Sequence, residues 1–264
     1  IMMNSKVKSL IAVFVLVVVN LLPSIAKGEV IDITDPVMKV FLPEKCDATG
    51  KCVVILPGGG YSGLAVDHEG YDWAPFFNER GIACAVVSYR MPHGDRSLPI
   101  SDAEKAMRIV RDNAAEWKIN PDDVGIMGFS AGGHLASTIA THSVDGLRPD
   151  FQILFYPVIT MDASFTHQGS RINLLGDNPS SDLVDEFSNE KQVSGKTPKA
   201  FVVLSGDDDI VPVANSLRYY ESLIKENIPV SMHIYPSGGH GWGYNSGFKY
   251  HPQVIYELDN WLKE

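Results

Sequence analysis

Five residues, Gly128-Phe129-Ser130-Ala131-Gly132, constrain this chain more than any other stretch. They stand between an apolar run at 123–127 and a helix-forming run at 131–142. Strand, Gly-x-Ser-x-Gly, helix is the spelling of a nucleophile elbow. A serine on so tight a turn takes strained backbone angles, and side chains two residues to either side would collide. Glycine at Gly128 and Gly132 removes that collision. The turn lifts the Ser130 hydroxyl clear of a sheet and aims the next helix's N-terminus at developing negative charge. A serine helix cap on a glycine-rich turn has the same spelling, so the rest of the chain must decide.

The flanking pattern points to an α/β fold. Strands are expected at 37–41, 52–56, 82–88, 151–156, 200–205 and 230–235. Helices are expected at 71–80, 99–117, 131–142, 214–226 and 251–263. In the 99–117 helix, Ala103, Ala106, Met107, Val110 and Ala114 make one apolar stripe. The segment 157–197 reads as irregular, with Gly176-Asp177-Asn178-Pro179 as a turn; so long an insertion suits a wall of a functional site. Alternation of strands and helices favours a mostly parallel sheet covered by helices on both faces. Loops at the carboxyl ends of its strands then carry the chemistry.

A serine hydroxyl needs a base, and the base needs an orienting acid. Of eight histidines, His240 is best placed, in Gly238-Gly239-His240-Gly241-Trp242 between the last strand and the last helix. His134, one helical turn beyond Ser130, is expected to pack under the elbow. The acid lies among Asp207, Asp208 and Asp209, after the 200–205 strand. Asp208-Asp209-Ile210-Val211-Pro212 fits an Asp-x-x-Val-Pro pattern and favours Asp208. The oxyanion needs preorganised N–H donors. The Ala131 amide follows the nucleophile, and Pro57-Gly58-Gly59-Gly60-Tyr61 offers Gly59 and Gly60, with Tyr61 as a further candidate. No P-loop lysine follows these glycines, which argues against phosphate binding. Tyr61, Trp73, Trp242 and Tyr244 are aromatics near the expected mouth, candidates for stacking on a ligand ring.

Export is expected. Lys6 and Lys8 precede an unbroken apolar run at 10–19, and Ser24-Ile25-Ala26 fits a small-x-small cleavage site. Residues 1–26 therefore read as a secretory signal peptide and 27–264 as a single catalytic domain. Removing 1–26 takes two lysines and no acid, so net charge moves from −10 to −12. That acidity disfavours nucleic acid and anionic membrane surfaces as partners. Cys46 and Cys52 flank a turn-like segment across which a disulfide is an open option in an oxidising compartment, whereas Cys84 in an apolar strand reads as a buried thiol. No Cys/His spacing suits zinc, and a serine nucleophile with its own base and acid calls for no metal or other cofactor.

Taken together these elements resemble the carbohydrate-esterase-like branch of the α/β-hydrolase superfamily, near acetyl xylan esterases and hormone-sensitive-lipase-like esterases. Ile55-Leu56-Pro57-Gly58-Gly59-Gly60-Tyr61 resembles the His-Gly-Gly-Gly oxyanion motif, with proline in place of histidine. Ser88-Tyr89-Arg90, Leu98-Pro99, Asp102-Ala103, Asn113 to Trp117, Gly128 to His134, Gly169 to Gly176 and Pro212 to Tyr220 are also similar to that branch. The resemblance covers the chain from about Val37 onward. It implies the α/β-hydrolase fold, a Ser130–Asp208–His240 triad in that order, and a serine esterase needing no metal. It further implies acetylated oligosaccharide or polysaccharide as substrate class. Feruloyl or general short-chain esterase activity is the alternative. A peptidase and an inactive binding module are the less favoured ones.

Overall fold

The computed structural model describes residues 28–264, so the 1–26 segment lies outside the described residues. Eight strands form one sheet: β1 (Val30–Thr34), β2 (Val37–Phe41), β3 (Cys52–Leu56), β4 (Ala83–Val87), β5 (Val124–Phe129), β6 (Phe151–Phe155), β7 (Lys199–Ser205) and β8 (Val230–Tyr235). Their spatial order is β1-β2-β4-β3-β5-β6-β7-β8. β1 and β2 pair antiparallel, as do β2 and β4; every pair from β4 to β8 is parallel. β3, β4, β5 and β6 are buried at every position, as continuous apolar runs between two helical layers should be. The architecture is the expected α/β-hydrolase fold.

The helices are α1 (Ala74–Asn78), α2 (Ser97–Asp112), α3 (Ala114–Trp117), α4 (Ser130–His142), α5 (Gln168–Leu175), α6 (Ser181–Glu186), α7 (Ala214–Lys225) and α8 (His251–Trp261). Three expectations need correction, and one strand was not foreseen. The 71–80 helix is a 3₁₀ turn, Tyr71–Trp73, running into a short α1. The 99–117 helix breaks at Asn113, whose side-chain amide donates to the Ile109 carbonyl (2.8 Å), and Lys118 ends α3 in the left-handed region at φ 59°. The 157–197 segment is not structureless: α5 is capped by the His167 ring and α6 by the Ser180 hydroxyl. β1 was not expected at all; it is an edge strand with only Ile31 and Ile33 turned toward the core.

The core is aromatic behind the elbow. Trp73 packs within 5.0–6.2 Å (ring centroids) of Phe76, Phe77, Phe129, Phe155 and Tyr244. This cluster fixes the carboxyl ends of β5 and β6, where the chemistry-bearing loops leave the sheet. Cys46, Cys52 and Cys84 are all free thiols, Cys46 exposed and the other two buried, which answers the disulfide question in the negative. No helix among the described residues is long and apolar enough to cross a membrane.

Candidate active site

The elbow has the geometry its spelling demands. Phe129 is extended and Ser130 turns to φ 51°. A non-glycine residue in that region costs about 1–3 kcal/mol. A side chain at Gly128 would begin 2.2 Å from the Gly132 carbonyl oxygen, and one at Gly132 would begin 2.1 Å from that of Leu56. Backbone cannot yield there, so glycine is required on both sides of the serine.

Ser130 sits at the start of α4, against the loop that follows β3. A Cβ built on Gly58 would lie 2.9 Å from the Ser130 Cβ. Gly59 takes φ 137° and Gly60 φ 65°; Tyr61 continues the turn at φ 59°. The Gly58 amide donates to Glu69 Oε2 (2.8 Å). The amides of Gly59, Gly60 and Ala131 donate to nothing among the described residues, so they are available to an anion.

His240 comes from the loop after β8. Its Nε2 lies 2.8 Å from Ser130 Oγ, and its Nδ1 lies 2.7 Å from Asp208 Oδ2. A carboxylate accepts, so Nδ1 carries the proton and Nε2 turns its lone pair to the hydroxyl. Asp208 is only 8% exposed, and its other oxygen accepts from the amides of Ile210 (3.0 Å) and Val211 (2.9 Å). The three adjacent acids separate by role. Asp207 accepts from the Gly238 and Gly239 amides (3.2 and 2.8 Å) and so ties down the loop carrying His240. Those hydrogen bonds hold its carboxyl below the usual range, the Gly239 bond most of all. Asp209 points to solvent.

Two histidines and a tyrosine surround this chain. His134 is fully buried; its Nε2 donates to the Phe187 carbonyl (2.8 Å), leaving Nδ1 to accept from the Tyr61 hydroxyl (2.9 Å). Burial pushes its pKa down to about 4, so it stays neutral and supports the glycine loop from beneath, as its position under the elbow suggested. His167 faces Gly60: a Cβ there would be 3.6 Å from His167 Cε1. Burial lowers its pKa, aided by the nearby His240. Tyr156, directly after β6 with φ 35°, packs its ring 4.7 Å from the His240 imidazole.

The aromatic platforms need correction. Tyr61 is 2% exposed and Trp242 6%, and Trp73 is wholly buried. Each of the first two finds a partner for its polar tip indoors: Tyr61 on His134, and Trp242 through Nε1–H to Ser205 Oγ (3.1 Å). Both rings are therefore largely withdrawn from solvent, although Trp242 still borders a surface cleft with Gly241 and Tyr244. Tyr244 alone of the four is partly exposed. Reading residue by residue missed Glu69, Tyr156 and His167. Only His167 adjoined a recognisable stretch, the Gly169–Gly176 segment.

The BD-FAE family profile matches residues 38–223, well over half of the chain. The chain belongs to the BD-FAE family. An acetylxylan esterase from Xylanibacter ruminicola is 50% identical over 230 residues, spanning 86% of this chain and 48% of that protein. Endo-1,4-beta-xylanase B of Butyrivibrio fibrisolvens is 37% identical over 210 residues, 74% of this chain and 33% of the relative. This BD-FAE chain thus spans about half or less of the length of these curated relatives. Among solved structures, an acetyl ester-xyloside bifunctional hydrolase from Caldicellulosiruptor lactoaceticus superposes with a TM-score of 0.80 at 34% identity, covering 90% of this chain and 96% of that one.

Proposed function

We propose that this BD-FAE protein is a serine carboxylic-ester hydrolase that releases acetyl groups from xylan or its oligosaccharides. One observation carries the chemistry: an unbroken hydrogen-bonded chain from Ser130 through His240 to buried Asp208. In this reading Ser130 Oγ attacks the ester carbonyl carbon while its proton passes to His240 Nε2. Asp208 keeps the Nδ1–H in place and stabilises the imidazolium. The amides of Gly59, Gly60 and Ala131 receive the oxyanion; one such donor is typically worth about 10²–10³ in turnover. His240 then protonates the departing sugar alcohol. Water, deprotonated by the same imidazole, attacks the acyl-enzyme; the acyl carbon–Oγ bond breaks, His240 returns its proton to Ser130 Oγ, and acetate leaves.

The substrate class rests on the relatives, whose names speak of acetylxylan and of acetyl ester-xyloside. A shallow surface cleft of about 460 Å³ lies beside the histidine loop, lined by His68, Asp72, Gly241, Trp242, Tyr244, Asn245 and Ser246. The export pattern at 1–26 supports work outside the cytoplasm on a polymer too large to enter it, with 27–264 as the catalytic domain. The test is acetate release from acetylated xylan beside ferulate release from feruloylated arabinoxylan, with wild type and Ser130→Ala. Acetate from wild type alone is expected. Ferulate without acetate replaces the acyl group, and acetate from Ser130→Ala sinks the serine mechanism.

A further inference from the structure

Glu69 is 3% exposed and belongs to no step of the proposed reaction. Burying a carboxyl in a loop is costly unless both oxygens are occupied. Here they are. Oε2 accepts from the Gly58 amide (2.8 Å) and Oε1 from the Tyr156 hydroxyl (2.8 Å). The Tyr156 oxygen in turn accepts from the Gly243 amide (2.7 Å). That last contact settles the direction of the proton. With its oxygen facing an N–H, the tyrosine must spend its own hydrogen on Glu69, and both carboxylate oxygens are acceptors. Burial raises the Glu69 pKa, while the Tyr156 and Gly58 bonds pull it back toward the ionised form.

The span of this network gives it meaning. Gly58 opens the glycine loop beside Ser130. Tyr156 directly follows β6 and lays its ring against His240. Gly243 lies three residues beyond His240 in the same loop. A Cβ on Gly58 would stand 2.6 Å from Glu69 Oε2 and 2.9 Å from Ser130 Cβ, so the carboxylate and the serine flank one backbone position. Three separate loops, each carrying part of the site, are tied to one buried charge. Resting on the hydrolase reading, we infer that Glu69, acting through Tyr156, is a positioning residue that sets the oxyanion loop and His240 in mutual register.

The charged and titratable groups around His240 are Asp208 from the loop after β7, Tyr156 just after β6, His167 ahead of α5, and Glu69, with His68 beside Glu69. Asp208 orients the imidazole, and His167 hydrogen-bonds Ser170. Among these groups Glu69 is the one that holds the glycine loop directly and, through Tyr156, the histidine loop, whose Tyr244 amide also donates to the His68 carbonyl (2.7 Å) next to Glu69.

Glu69→Gln nearly preserves shape but not the bonding. Its oxygen can still accept from Gly58. Its –NH₂ must then face the Tyr156 oxygen, and the tyrosine hydrogen loses its acceptor. Tyr156→Phe leaves Glu69 and the Gly243 amide each one partner short. Each variant is expected to lower kcat on p-nitrophenyl acetate by about ten- to a hundredfold while KM moves less than about threefold. Because both act on one unit, the double variant should lose little beyond the worse single one. Near-UV circular dichroism establishes that each variant is folded at the assay temperature. Wild-type kcat in either folded variant overturns the inference, as does a loss confined to KM or additive losses in the double variant. If Glu69→Gln does not fold, Tyr156→Phe decides by the same criteria. A wild-type protein that neither hydrolyses the ester nor reacts with a serine-directed phosphonate would instead defeat the hydrolase reading itself.

Discussion

Replacing Asp208 by asparagine tests the hydrogen-bonded chain at its most specific point. Asp208 Oδ1 faces two backbone donors, the Ile210 and Val211 amides, and Oδ2 faces His240 Nδ1. An asparagine has one oxygen. If that oxygen stays on the two amides, its –NH₂ meets Nδ1, which must give up its proton to accept. The imidazole proton then moves to Nε2, where it faces Ser130 Oγ, and no lone pair remains to take the serine proton. Flipping the amide restores the useful tautomer but turns –NH₂ toward two backbone N–H groups. Each buried donor left unpaired costs about 1–3 kcal/mol, so the flip costs about 2–6 kcal/mol. At about 1.4 kcal/mol per decade, turnover falls by roughly 10¹·⁵ to 10⁴. The upper end meets the loss of about 10⁴ known for the same replacement in a serine protease, where the wrong tautomer is also the cause. The assay is kcat on p-nitrophenyl acetate with unfolding midpoints alongside. Asp209→Asn, at a solvent-facing position, should leave kcat within about twofold, as surface changes usually do. A folded Asp208→Asn enzyme within tenfold of wild type refutes the tautomer argument. An equal loss at Asp209 refutes the assignment of the acid.

Three further outcomes follow from the same geometry. Gly132→Ala pushes a methyl to 2.1 Å from the Leu56 carbonyl oxygen, so the folded protein should lose at least about 1–3 kcal/mol; an unchanged thermal midpoint would show that the elbow tolerates a side chain. His134 has a folded pKa of about 4 against about 6.5 when unfolded. The unfolded chain therefore takes the proton first as pH falls, and stability complete above pH 6.5 is lost toward pH 4. From pH 7 to pH 5 this group alone removes about 2 kcal/mol. An imidazole resonance of His134 that titrates near 6.5 in the folded protein contradicts this. Finally, a thiol reagent should label one cysteine, Cys46, in the folded protein and all three after denaturation, since Cys52 and Cys84 are buried. Two protected thiols at 46 and 52 that appear only on reduction would restore the disulfide.

The sequence announced residues whose backbone is special and stayed silent about those whose side-chain tips do the work. Gly128 and Gly132 are spelled out because a Cβ at either position strikes a carbonyl. His240 is announced because a glycine-rich loop leaves the end of a strand. β3 through β5 are plain as short apolar runs because both their faces are covered. β1 escaped notice because an antiparallel edge strand buries only Ile31 and Ile33, too few for a pattern. Among Asp207, Asp208 and Asp209 composition is identical. The Asp-x-x-Val-Pro spelling favours Asp208, and the turn that places the Ile210 and Val211 amides on its carboxylate gives that spelling its physical content. Tyr61 and Trp242 looked like rim aromatics because an aromatic beside a motif reads the same indoors and out. The partners that drew them inside, His134 and Ser205, lie 73 and 37 residues away. Glu69 is the extreme case. Its two partners stand 11 and 87 residues off, on different loops, and no spacing rule links them. Support for a site is therefore harder to see than the site itself. It depends on which distant tips meet once the sheet has formed, and that is decided by packing more than by local spelling.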